Sequence, residues 1–183
     1  ENSIVVMYSG TMGEKQGLDI LPPIIKHFEG FSNIYWLLAG EGPMKEYLEE
    51  KLSKCINVKI LPLQPKERFN DWINLADIHL LPQRHGADGL VLPSKVLAIL
   101  ACGKPFISSA NKNSDLGKIA NIAGIRVEPE NANEFILAIE ELAKDKLLRS
   151  KLGEKGRKLA KKFFEKERIL SHLQKDIFEL IKN

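Results

Sequence analysis

Much is missing from this chain of 183 residues, and each gap excludes a class of protein. Only two cysteines occur, Cys55 and Cys102, far apart and outside any metal-ligand spacing. They exclude a disulfide-stapled scaffold and fit a reducing compartment, where thiols stay free. The four histidines, His27, His79, His85 and His172, stand singly, without a His-x-x-x-His pair or a carboxylate cluster. No metal site is therefore expected. A Gly-x-Ser-x-Gly elbow is absent, which removes the Ser-His-Asp hydrolases. The loops also lack the paired carboxylates of a glycoside hydrolase. The longest apolar run, Val96 to Cys102, is far too short to span a bilayer. The first residues carry no basic segment leading into an apolar stretch, as a secretory leader would. A cytoplasmic location is the expectation.

What is present is an ordinary globular balance, 44% hydrophobic and 28% charged, which excludes disorder and supports one buried core. The net charge of +3 is unevenly spread. From Lys144 to Asn183 there are 13 Lys+Arg and 6 Asp+Glu, a local +7 that leaves −4 for the rest. A pair of solvated amphipathic helices gives such a count; so does a face turned to an anionic surface, either lipid headgroups or nucleic acid. The aromatics there, Phe163, Phe164 and Phe178, do not interleave with the basic residues as a stacking platform requires, which disfavours nucleic acid.

Short apolar runs alternate with helical-period segments along the whole chain. Ile4–Ser9, Ile34–Ala39, Val58–Leu61, Ile78–Leu81, Phe106–Ser109 and Gly124–Val127 read as strands. Most are continuously apolar, which suits strands buried on both faces of a parallel sheet. Helices are predicted over Leu18–Glu29, Met44–Ser53, Lys66–Leu75, Ser94–Cys102, Ser114–Ala123, Ala132–Ala143, Lys146–Lys161 and Phe164–Lys182. Asn131 offers an N-cap to the sixth, with Glu134 placed as in a capping box. This alternation implies one α/β domain: a doubly wound, parallel, six-stranded Rossmann-like sheet with helices on both faces. Ligands of such sheets bind outside the carboxyl ends of the strands, where the strand order reverses. If the order is 3-2-1-4-5-6, the loops at the reversal are Gly10–Gly17 and Pro82–Leu92.

The first loop reads Ser9-Gly10-Thr11-Met12-Gly13-Glu14-Lys15-Gln16-Gly17. Glycines let backbone amides approach a ligand, a helix N-terminus favours an anion, and Lys15 adds a mobile cation. An ordinary strand-to-helix turn has much the same composition. The loop is not a Walker motif, because no Gly-Lys-Ser/Thr closes it, nor the dinucleotide fingerprint, because its glycines stand three and four apart. The second loop, Pro82 to Lys95, carries Arg84, His85 and Lys95 as positive charges and Asp88 as its one carboxylate. Either Ser94 caps the next helix, or Pro93 does and Ser94 begins it. In both cases the amides of Gly89, Leu90, Val91 and Leu92 and the helix dipole face the crevice, a seat for a diphosphate. His85 reads equally as a turn residue, and Asp88 as a turn residue or a ligand. Gly40-Glu41-Gly42-Pro43 ends the second strand. Leu61-Pro62-Leu63-Gln64-Pro65 ends the third and leaves Leu63 and Gln64 free to present main-chain groups to a flat base. Alone, each is also a plain turn.

The ordered series Ser-Gly-Thr…Lys-Gln-Gly-Leu-Asp, Leu-Ala-Gly-Glu-Gly-Pro, Asn-Val-Lys-Ile-Leu-Pro-Leu, Leu-Ala-Asp-Ile-His-Leu-Leu-Pro, Pro-Ser-Lys and Ala-Cys-Gly-Lys-Pro resembles the C-terminal half of glycosyltransferase family 4. Lys-Gln-Gly-Leu and Leu-Val-Leu-Pro-Ser-Lys are most similar to transferases of colanic-acid and capsule biosynthesis. The resemblance covers nearly the whole chain. It implies the donor-binding half of a GT-B enzyme, which would retain anomeric configuration, use no metal or other cofactor, and take a UDP- or GDP-sugar. An N-terminal domain would hold a lipid-linked acceptor at the inner face of the membrane, which the basic tail would suit. By position, Gly10, Thr11, Gly13, Lys15 and Gln16 would face the diphosphate, with Arg84 and His85 adding charge. Leu63 and Gln64 would hold the base, and Gly89 to Leu92, Ser94 and Lys95 would line the phosphate and sugar. The family's Glu-x7-Glu falls here on Leu90 and Ala98, so both carboxylates are lost and Asp88 is the nearest acidic substitute. The family's usual loop arginine is Thr11. Two other readings compete: a non-catalytic nucleotide-sugar-binding module, and an NAD-binding domain with Glu41 on the ribose.

Overall fold

The computed structural model describes residues 3–86 and 92–181. Six parallel strands form one sheet: β1 (Ile4–Ser9), β2 (Ile34–Ala39), β3 (Val58–Leu61), β4 (Ile78–Leu81), β5 (Phe106–Ser108) and β6 (Ile125–Arg126). Their order is β3-β2-β1-β4-β5-β6, so the reversal lies between β1 and β4, with Val6 opposite Ile78 and Met7 opposite His79. Around the sheet run α1 (Leu21–His27), α2 (Met44–Leu52), α3 (Phe69–Leu75), α4 (Ser94–Ala101), α5 (Asp115–Ala123), α6 (Ala132–Lys144), α7 (Lys146–Phe163) and α8 (Lys166–Ile181).

The continuous apolar strands are buried on both sides, as a parallel centre requires. Adjacent side chains of one strand serve opposite cores. Leu80 and Ile107 join the large core under α1, α2 and α6, while Leu81 and Phe106 join a second core with α4 and α5. Each such buried Leu, Ile or Phe contributes about 1.5–3 kcal/mol relative to exposure. The edge strand β3 is only half-buried.

Several boundaries differ from the sequence reading for identifiable reasons. The first predicted helix is a 3-10 turn at Leu18–Ile20 followed by α1, because Pro22 and Pro23 fit only the first turn, where an N–H has no partner to lose. The third begins likewise as a 3-10 turn, Lys66–Arg68. Strand β5 stops at Ser108, and the Ser109 hydroxyl bonds both main-chain groups of Gln83 instead. Asn131 does cap α6, accepting from the Glu134 amide at 3.1 Å. The Glu134 carboxylate, however, accepts from the amides of Glu128 and the Asn131 side chain rather than closing a capping box on the Asn131 main chain. Asp145, not singled out in the sequence, caps α7 through the Leu148 amide at 2.8 Å.

The long basic α7 packs on α4 and α5 at very close range. A Cβ added to Gly153 would lie 2.0 Å from the Gly103 carbonyl oxygen. Beyond α7, α8 carries Ile169, Leu173 and Ile177 about half exposed. Among the described residues no helix is long and apolar enough to cross a membrane.

Candidate functional site at the strand reversal

The site is built from the carboxyl ends of β1, β2 and β4. Gly10 donates from its amide to the Ala39 carbonyl at 2.9 Å, extending the β1–β2 ladder into the loop. Gly40 lies directly behind it, and a Cβ there would fall 1.9 Å from the Gly10 carbonyl oxygen. Only a glycine permits that approach. Met12 is buried and tied on both sides, its amide to the Glu41 carbonyl and its carbonyl to the Met44 amide. The first loop is thus pinned by main-chain bonds while Thr11 and Lys15 stay exposed.

Against this loop the first turn of α4 places Lys95. Its Nζ lies 3.0 Å from where a Cβ of Gly10 would stand. The ammonium donates to the Tyr8 hydroxyl at 3.3 Å and sits 4.5 Å from the centroid of the Tyr8 ring, a cation–π contact. Tyr8 is fully buried, and its hydroxyl donates to the Thr11 carbonyl. Among the described residues no carboxylate lies within ion-pair distance of Lys95. Desolvation without a counter-charge pulls the Lys95 amine down to about 8, and burial pushes the Tyr8 phenol well above its ordinary value. Gly10, Thr11 and Lys95, which stand out separately in the sequence, therefore meet around Tyr8, which in the sequence is only part of an apolar strand.

Arg84 takes a different place from the one expected. Its Nε donates to the Glu14 carbonyl at 2.9 Å, its amide to the Lys15 carbonyl at 3.2 Å, and its guanidinium pairs with Asp19 at 3.1 Å. It straps the two loops together, and its charge is already compensated. His85 is exposed, and its charged neighbourhood is that of Glu128 beyond β6. Arg126 first, then Lys112 and His85, hold the Glu128 carboxylate below the usual range.

The remaining expectations sort as follows. Gln16 sits beside Gly13, its Oε1 2.7 Å from where a Cβ of Gly13 would stand. Gln64 turns its amide onto the Pro62 carbonyl at 2.9 Å, and Leu63 is 61% exposed. Pro93 is the N-cap of α4, and Ser94 is its exposed first residue with no capping bond. The Leu92 side chain packs on the second core. Asp88, Gly89, Leu90 and Val91 lie outside the described residues. Ala98 lines an apolar groove of about 450 Å3 with Leu97, Ala101, Phe164 and the exposed Arg157 and Lys161. Glu41, the residue an NAD site would use, pairs with Lys45 at 2.9 Å. Among the described residues, no three His, Cys, Asp or Glu side chains gather as metal ligands.

A model of the glycosyl transferases group 1 family matches residues 1–159, which include every site residue named above. The chain belongs to this family. It is similar to the colanic acid biosynthesis glycosyl transferase WcaI of Escherichia coli K12, with 29% identity over 182 residues. That alignment covers 97% of this chain and 44% of WcaI, so the chain spans about half the length of that relative. Its fold is similar to sucrose-phosphate synthase of Thermosynechococcus elongatus, with a TM-score of 0.81 at 20% identity over 99% of this chain and 46% of that one. The Anabaena protein HepE, solved in complex with UDP-glucose, superposes with a TM-score of 0.77 at 14% identity over 97% of this chain and 49% of that one. A glycosyltransferase domain on a six-stranded GT-B-type sheet accounts for both the family match and the observed strand order.

Proposed function

We propose that this domain is the donor-binding half of a retaining, metal-independent glycosyltransferase, seating the diphosphate of a UDP- or GDP-sugar at the strand reversal. The observation that carries the reading is the Lys95 ammonium, desolvated beside Gly10 and without a carboxylate among the described residues. An incoming diphosphate supplies the missing negative charge, and the first loop, pinned through the Gly10 and Met12 amides, offers its other amides at little cost of reorganisation. Lys15, exposed on the same loop, is a second cation for the same anion. Leu63 and Gln64 would flank the base. The bound UDP-glucose of the similar HepE supports the ligand class.

The wider reading follows the relatives. An N-terminal domain would bring the acceptor, a lipid-linked sugar in surface polysaccharide assembly, as the likeness to WcaI supports. The eight Lys and Arg of α7 against its single acid, Glu154, would turn toward anionic lipid at the cytoplasmic face. One observation favours a second reading, a binding module without transfer. Ala98 stands in an apolar groove where the family resemblance places a carboxylate.

A thermal-shift panel of UDP, GDP, ADP, their sugars and NAD, with and without EDTA, tests the proposal. A ligand at a hundredfold excess over its Kd adds about 2.7 kcal/mol to stability. The expected result is a shift with one nucleoside diphosphate, unchanged by EDTA and absent with NAD. A shift abolished by EDTA would overturn the metal-independent reading. The enzyme with its acceptor domain separates transfer from binding alone, since only the former consumes the sugar nucleotide.

A further inference from the structure

Tyr8 has a hydroxyl at the one point where the first loop, the end of β1 and the first turn of α4 meet. A phenol has one proton to give and two lone pairs to offer. Here the proton goes to the Thr11 carbonyl. The oxygen's remaining electron density therefore faces the Lys95 ammonium, which donates to it at 3.3 Å. The ring lies beneath the same ammonium, 4.5 Å from its centroid. Full burial of Tyr8 fixes the oxygen in place, because the ring has no freedom to swing away. A lysine carries a flexible four-carbon stem, and its ammonium gains most by reaching water. Nothing else in the described surroundings of Lys95 offers its ammonium a side-chain acceptor.

We infer that Tyr8 is a positioning residue of the diphosphate seat: its hydroxyl, oriented by the Thr11 carbonyl, holds the Lys95 ammonium against Gly10, where the ligand's phosphate will meet it. The inference rests on the donor-binding reading above and adds a residue to it. The hydroxyl couples the two halves of the seat, since it accepts from Lys95 and donates to the loop backbone at Thr11. Tyr8 touches no ligand in this arrangement. It acts through Lys95.

The test is a double-mutant cycle on UDP and GDP binding by titration calorimetry, with Tyr8→Phe, Lys95→Gln and both together. Tyr8→Phe keeps the ring and removes the oxygen. The expected loss of affinity for whichever nucleotide the wild type binds is about fivefold, the scale of one ordinary hydrogen bond. In the Lys95→Gln background the same change should cost clearly less, because only the bond to the Thr11 carbonyl is left to lose. A purely structural effect of Tyr8→Phe would lower affinity equally in both backgrounds, and that additive result overturns the inference. A ligand-free readout runs beside it. The Cε carbon signal of Lys95 in labelled protein should move on Tyr8→Phe, and an unmoved signal also overturns the contact. Wild-type protein that binds neither nucleotide would overturn the donor reading itself, and the role of Tyr8 with it.

Discussion

Two glycine pairs close the backbone of this domain on itself, and they do so with the same geometry for different ends. At the carboxyl edge of the sheet, Gly40 faces the Gly10 carbonyl, with a Cβ position 1.9 Å from the oxygen. At the joint between α4 and α7, Gly153 faces the Gly103 carbonyl, with a Cβ position 2.0 Å away. The packing device is shared. What differs is the residue left beside it. Next to Gly10 stands the Lys95 ammonium, half-buried against a phenol and unmatched by a described carboxylate. Next to Gly103 the α4–α7 surface offers Leu97, Ala98, Ala101 and Phe164, an apolar wall whose cations, Arg157 and Lys161, reach solvent. Close backbone approach is thus a matter of architecture in both places. Only beside Gly10 does it leave a cation without a described counter-charge, the feature on which the proposed diphosphate seat rests.

Substituting each glycine separates the two functions. Gly40→Ala and Gly153→Ala should both destabilise by about 3 kcal/mol, because a methyl group is driven into a carbonyl oxygen that strands and helices hold in place. Urea melts would read that loss. The folded fraction should then tell them apart: Gly153→Ala keeps the wild-type affinity for nucleoside diphosphate, and Gly40→Ala loses it as the first loop shifts. Equal affinities in the two variants would break the comparison.

A smaller effect sharpens the charge side of the contrast. Lys95 titrates in the folded protein near 8, below the ordinary 10.5 that it regains on unfolding. Between those values the unfolded chain binds more protons than the folded one, so stability rises with pH across that window. Below it the ammonium is charged in both states, and the full desolvation penalty applies. Lys95→Gln should remove this slope, raising stability at neutral pH on the order of 2 kcal/mol, discounted for partial solvent access, and little above pH 10. Urea melts of both proteins from about pH 7 to about pH 10 supply the difference. A variant whose stability tracks the wild type throughout would mean that the ammonium is already compensated. The same substitution should cost roughly tenfold in diphosphate affinity, a gain of stability traded against a loss of binding.

The sheet was legible because short, mostly apolar runs of four to six residues have one economical use in an alternating chain, a parallel sheet. All six strands were found, and the order 3-2-1-4-5-6 is the observed one. Boundaries failed where local chemistry overrode periodicity, at Pro22 and Pro23 and at Ser109, whose hydroxyl leaves the strand for Gln83. The site was legible in pieces. Gly10 and Lys95 stand out as a loop glycine and a helix-start cation, but their meeting depends on a contact spanning 87 residues through Tyr8. In Ile-Val-Val-Met-Tyr-Ser the tyrosine reads as one more core residue. The available signal was its polar tip, two residues before the loop glycine in an otherwise apolar run. The pairing of Arg84 is hidden for the converse reason. Its partner Asp19 lies in the 3-10 turn before α1, and pairing across that distance is invisible to spacing.

Arg84 gives the finest test of the contrast between a paired cation and an unpaired one. Its guanidinium and Asp19 are both about two-fifths exposed, so the ion pair contributes only about 0.5 kcal/mol. The bond from Nε to the Glu14 carbonyl adds a similar amount, and Arg84→Ala should therefore cost about 1 kcal/mol of stability. Arg84→Lys should recover the part owed to Asp19 and not the part owed to Glu14, because an ammonium lacks the fork that serves both at once. Since the strap holds the first loop only at its far end, diphosphate affinity should fall by less than threefold or so in Arg84→Ala, well short of the loss in Lys95→Gln. Calorimetry on the two variants under one salt condition decides it. A loss in Arg84→Ala as large as that in Lys95→Gln would mean that the guanidinium leaves Asp19 for the ligand, and that the second loop rearranges when the diphosphate arrives.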